Sequence, residues 1–282
     1  MKKKCCCVVS VLLAVVFLFG SFSAAAAEEK PLYVVLGDSI AFGSGLLNPQ
    51  QAVYGRIVAD TDGFDYENYA IPGHTTGDLL RRMQNQKVHA AIEAADVISI
   101  SIGGNNFLRG DLLGILYNGV VKSNYAPVEQ IVAPFVADLD TIVTEIHTLN
   151  PDAAIVLQTI YNPQSGYAGE VYGHGAAILN DAIKAYVQAH PDNVYLVDVA
   201  ARLTDHKADF ARDGIHPSAV GNEKIAKAVL ETLFENGLGA KTEPVIAVKG
   251  QDVFGTDWLA FSVTFYCWVL HLFAPLLSKL PV

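Results

Sequence analysis

A chain of 282 residues can hold one large domain or two small ones, and roughly 210 residues between its two ends are ample for a hydrophobic core. Its 19 basic and 29 acidic residues leave a net charge of −10, which argues against nucleic acid and against loose docking on anionic lipid. Of the four cysteines three crowd the N-terminus, so the remainder of the chain has Cys267 alone and no internal disulfide.

The N-terminus reads as a secretory leader over 1–27. Lys2-Lys3-Lys4 precede an apolar run over 8–20, and small residues follow to a cleavage site after Ala25, Ala26 or Ala27; an uncleaved membrane anchor is the alternative. Export is therefore expected, and loss of three lysines takes the net charge to about −13. From there short apolar runs alternate with helical patterns. Strands are expected at 32–36, 66–70, 97–102, 154–160 and 194–199, and helices at 51–59, 76–85, 88–94, 128–149, 176–189 and 219–235. Five strands separated by helices predict an α/β domain over 28–236, with a parallel sheet covered on both faces. The pattern dissolves over 237–257, which reads as a linker. The segment 258–277 is apolar but for Ser262, Thr264 and His271, and twenty residues of helix span about 30 Å. A C-terminal transmembrane helix is the expectation, with Trp258 and Lys279 at the interfaces and 278–282 as a short inner tail; a buried or interfacial helix is the alternative.

Four short blocks carry chemistry. Gly37-Asp38-Ser39-Ile40 closes the first strand and places Ser39 at its carboxyl end, where open α/β sheets hold their ligands. At the second strand end, Gly73 lets a backbone N–H approach a substrate oxygen; a plain turn with Thr75 or Thr76 as helix cap competes with that reading. At the third, Gly103-Gly104-Asn105-Asn106 offers a side-chain amide to a developing oxyanion, although the same residues make a good turn. The fourth, Asp213-Gly214-Ile215-His216-Pro217, supplies a base and a carboxylate three residues apart, although taken alone it reads equally as a surface turn that caps the last helix. Ser39, Asp213 and His216 are all a serine hydrolase needs, and no HExxH or paired-cysteine spacing calls for a metal or other cofactor.

In this order and at strand ends, the blocks resemble the GDSL family of the SGNH-hydrolase superfamily over about residues 32–235. The resemblance implies a three-layer α/β/α sandwich, flavodoxin-like, around a five-stranded parallel sheet. It implies Ser39 as nucleophile, His216 as base and Asp213 as its orienting partner, with the Ser39 backbone N–H, Gly73 and Asn105 as oxyanion hole. Asn106 departs from the aspartate usual there. The expected activity is hydrolysis of acyl esters such as lipids or lysophospholipids. An O-deacetylase of polysaccharide and a non-catalytic binding module are the rivals. An apolar slot at the strand ends favours the first, and an aromatic groove the second.

Overall fold

The computed structural model describes residues 30–255 and 258–279; the expected leader lies outside them. Five strands form the sheet: β1 (Leu32–Gly37), β2 (Asp65–Asn68), β3 (Val97–Ser101), β4 (Ala154–Gln158) and β5 (Val194–Val197). All pair in parallel in the order β2-β1-β3-β4-β5, with Val35 opposite Asn68 on one side and Ser99 on the other. The chain leaves β1 toward one edge and returns on its other side as β3. The crevice beyond the carboxyl ends of β1 and β3 is thus the switch point where open α/β sheets bind ligands.

The helices among the described residues are α1 (Ser39–Phe42), α2 (Pro49–Ala52), α3 (Tyr54–Asp62), α4 (Thr76–Met83), α5 (Gln86–Ala94), α6 (Gly104–Leu108), α7 (Leu112–Lys122), α8 (Ala126–Leu149), α9 (Gly166–Ala189), α10 (Ala219–Glu235) and α11 (Trp258–Leu277). Alternation along β1 divides the core. Val34 and Leu36 join one cluster with residues of α4, α5, α8 and α9; Tyr33 and Val35 join another with residues of α3 and α10. That gives helices on both faces of the sheet, the three-layer sandwich expected, and each fully buried aliphatic side chain contributes about 1.5–3 kcal/mol. β3 and β4 are buried at every residue, as central parallel strands should be.

Three expectations need correction. The helix expected over 51–59 is broken at Val53, whose extended backbone (ψ 148°) turns the Tyr54 N–H toward the buried Asn222 Oδ1 at 3.0 Å. The helix expected from 176 begins at Gly166, because glycines that read as loop are places of close approach. A Cβ on Gly175 would stand 2.6 Å from the Phe107 ring.

The third concerns the C-terminus. No helix among the described residues is long and apolar enough to cross a membrane, and α11 instead lies along α7 and α9. Cys267 and Leu270 are buried there, Val263 and Tyr266 pack against the same core, and His271 stacks on Tyr167 with ring centroids 3.8 Å apart. The apolar character that suggested a span thus serves, on this face, to cover the domain. The opposite face leaves Phe261, Phe265, Trp268 and Leu272 exposed. Residues 238–253 run along the surface, with Leu47 N–H bonded to the Gln251 carbonyl (2.7 Å) and Ala219 N–H to Asp252 Oδ1 (2.6 Å).

Candidate active site

β1 ends at Gly37 with φ +135°, and a Cβ there would stand 2.1 Å from the Ser101 carbonyl oxygen. Only glycine lets the ends of β1 and β3 come this close. The Asp38 N–H then donates to that same carbonyl (3.1 Å), and Asp38 Oδ1 accepts from the Ile40 N–H (3.0 Å), capping α1. Burial pushes the Asp38 carboxyl up to about 7, against the lowering pull of the Ile40 hydrogen bond and of His216. Ser39, the first residue of α1, is half-buried and opens into a cavity.

The fourth block folds as a side-chain-closed loop. Asp213 Oδ1 accepts from the backbone N–H groups of Ile215 and His216, both at 3.0 Å, and Gly214 supplies the left-handed residue at φ +72°. Asp213 Oδ2 is left to accept from His216 Nδ1 at 2.7 Å, the two side chains being only 13% and 19% exposed. Burial raises the Asp213 carboxyl, yet the hydrogen bonds from His216 and from the two backbone groups outweigh it and hold the group below its ordinary range. A proton held on Nδ1 by the carboxylate leaves Nε2 with its lone pair free to act as a base. Two long-range bonds brace the loop: Tyr161 hydroxyl to the Ile215 carbonyl (2.9 Å) and Gln164 Nε2 to the Gly214 carbonyl (3.0 Å). Gly45, in the turn after α1, comes so close that a Cβ on it would lie 3.1 Å from His216 Cβ. The serine and histidine segments are therefore neighbours.

The second and third blocks join them. Ile71 N–H donates to the Gly37 carbonyl (3.0 Å), and Asn105 Nδ2 donates to the His74 carbonyl (2.9 Å). Gly73 sits between these ties at φ +84°, with open space where a side chain would be. Thr75 does cap α4, in a capping box with Asp78, so the turn has a structural duty as well. Asn106 ties the same corner: its Oδ1 accepts from the Thr76 N–H (3.1 Å) and its Nδ2 donates to Thr76 Oγ1 (2.8 Å). Ser39 and Asn105 line one open cavity with Ile102, Leu108, Tyr172 and Ile215 among its other walls; Gly73 and His216 are not part of that lining. Among the described residues no group of three or more His, Cys, Asp and Glu could hold a metal ion.

A nucleophile, a base with its carboxylate and candidate oxyanion donors at neighbouring strand ends are the groups that acyl transfer uses. A family model for the GDSL-like Lipase/Acylhydrolase family matches residues 35–224. The chain belongs to that family. It is an esterase/lipase-type hydrolase. This family member is 27% identical to the uncharacterized protein YpmR of Bacillus subtilis (strain 168) over 222 residues, covering 75% of the chain and 84% of YpmR. Its fold is similar to that of the lipase Lip_vut3 from a goat rumen metagenome (TM-score 0.59, 22% identity, 74% of this chain and 99% of that one). It is likewise similar to phospholipase A1 from Streptomyces albidoflavus NA297 (TM-score 0.56, 19% identity, 72% and 99%).

Several residues of this GDSL-like site escaped sequence reasoning. Asp38 was visible as a neighbour of Ser39, but its burial was not. Tyr161 and Gln164 reach the loop of Asp213 and His216 from about fifty positions away, and no local signal marks them.

Proposed function

We propose that the chain is an exported serine carboxylester hydrolase with Ser39 as nucleophile, His216 as general base and Asp213 as its orienting acid. The observation that carries this reading is the 2.7 Å Asp213–His216 pair, seated in a loop that packs against the turn following Ser39. Ser39 Oγ attacks the ester carbonyl while His216 Nε2 takes its proton. Asp213 stabilises the imidazolium that forms. Backbone N–H groups of Ser39 and Gly73 and the second N–H of the Asn105 amide stabilise the oxyanion. The alcohol leaves with the proton from His216, and water activated by the same base releases the acid. Its leader would be removed on export, so the mature chain would begin between Ala26 and Glu28.

The substrates favoured are esters of acyl chains, because Leu108, Ile102 and Ile215 line the cavity beside Ser39. Hydrolysis of p-nitrophenyl esters by the wild type and by Ser39→Ala tests the proposal. A folded Ser39→Ala protein should lose roughly 10⁴-fold or more in kcat. Substantial turnover by that variant would remove Ser39 from the role of nucleophile.

A further inference from the structure

The cavity holding Ser39 and Asn105 does not end at the catalytic residues. A second, narrow recess abuts it, and Leu108, Pro163, Tyr172 and Ile215 belong to the walls of both. The recess is walled further by Leu112 and Leu116 from α7, Ala168 from α9 and Val263 from α11. Its lining is apolar almost throughout, with Gln164 as the one amide. Ligand sites have this composition: apolar walls and a few polar groups that fix orientation, here gathered at the Ser39 end.

The origin of the walls is informative. Residues 35–224 are the part matched by the family model, whereas α11 lies beyond it. Yet α11 does more than cover the domain. Thr264 Oγ1 stands 3.5 Å from Gln164 Oε1, and the Nε2 of that same amide holds the Gly214 carbonyl in the loop of Asp213 and His216. With Cys267 buried one turn further on and Leu270 two, the helix is seated where Val263 meets the recess. A segment outside the matched domain therefore closes an apolar space next to the proposed nucleophile.

We propose that this recess receives the acyl chain of the ester and that α11, through Val263, sets how long that chain can be. The proposal rests on the serine-esterase reading and names its substrate class: esters of unbranched acyl chains longer than acetyl. An acetyl group would be held at the Ser39 end alone. A longer chain extends past Leu108 into the space between α7 and α11, and each methylene that enters leaves water.

The test uses the full chain and the ratio of kcat/KM for p-nitrophenyl octanoate to that for the acetate. Val263→Trp should fill the recess and lower the ratio roughly 10- to 100-fold, the scale on which apolar pockets discriminate chain length. Val263→Ala, which shortens the same wall, should move the preferred chain toward greater length. Opposite shifts in the two variants support the slot. An unchanged ratio in both, beside Ser39-dependent acetate hydrolysis by the wild type, would sink the slot while leaving the esterase reading intact. Absence of Ser39-dependent hydrolysis in the wild type would sink both.

Discussion

The polar end of the site and the apolar recess share four residues but are built by different means. The polar end is made of loops at strand ends: Gly37 to Ile71, Asp38 to Ser101, Asn105 to His74 and Asp213 to His216 are joined by hydrogen bonds of 2.7–3.1 Å. The recess is walled chiefly by side chains of α7, α9 and α11. Hydrogen bonds have direction and fix atoms to within tenths of an ångström, as a reacting group requires. Apolar contact has none, so a helix face can set the shape of a space without fixing any one atom in it. On the proposed reading, chemistry and selectivity are entrusted to different kinds of structure, and the two should fail differently when altered.

The largest effect that would separate them belongs to Asp213→Asn. An asparagine amide facing His216 Nδ1 favours the wrong tautomer, and kcat should fall on the order of 10⁴-fold, equally for acetyl and octanoyl esters. A loss confined to one chain length would break the comparison. Asn105→Ala removes one proposed oxyanion donor and should cost about 10²- to 10³-fold in kcat, again without regard to chain length. Steady-state kinetics on both esters reads either result.

Two smaller effects concern how the polar end is held. Thr76 Oγ1 donates to Asp138 Oδ2 and accepts from Asn106 Nδ2, so Asn106→Asp would bring in an acceptor where only a donor fits. The variant should lose about 1–3 kcal/mol in urea unfolding. Equal stability would mean that this corner tolerates the aspartate more usual in the family. Asp38 gives the subtlest effect. Its pKa is raised in the fold from 3.8 to about 7, so between those values the unfolded chain releases a proton that the folded one keeps. Stability should therefore fall as pH rises through that window. Asp38→Asn, which can still accept from Ile40, should remove the fall, and its advantage over the wild type should level off above pH 7. Parallel curves of urea midpoint against pH would show that Asp38 is already ionised in the fold at acid pH.

Much of the polar end was legible in the chain because its determinants are local. The apolar runs of β1, β3 and β4 end in glycine or polar turns, and Asp213 lies three residues from His216, near enough for one loop to close on itself. The strand count followed from the same short-range alternation. The long start of α9 did not, since Gly166, Gly169, Gly173 and Gly175 have the composition of a loop until the Phe107 ring is placed against Gly175.

The sequence by itself determined the α/β class and the five strands, because each is written in the periodicity of neighbouring positions, and its four motif blocks carried the resemblance to the family. The tertiary structure alone decided what α11 does. Burial of apolar surface is favourable against any apolar partner, so twenty apolar residues in a row do not name theirs. Only the fold shows that α7 and α9 present the matching face, and that Val263 thereby comes to wall a recess beside Ser39.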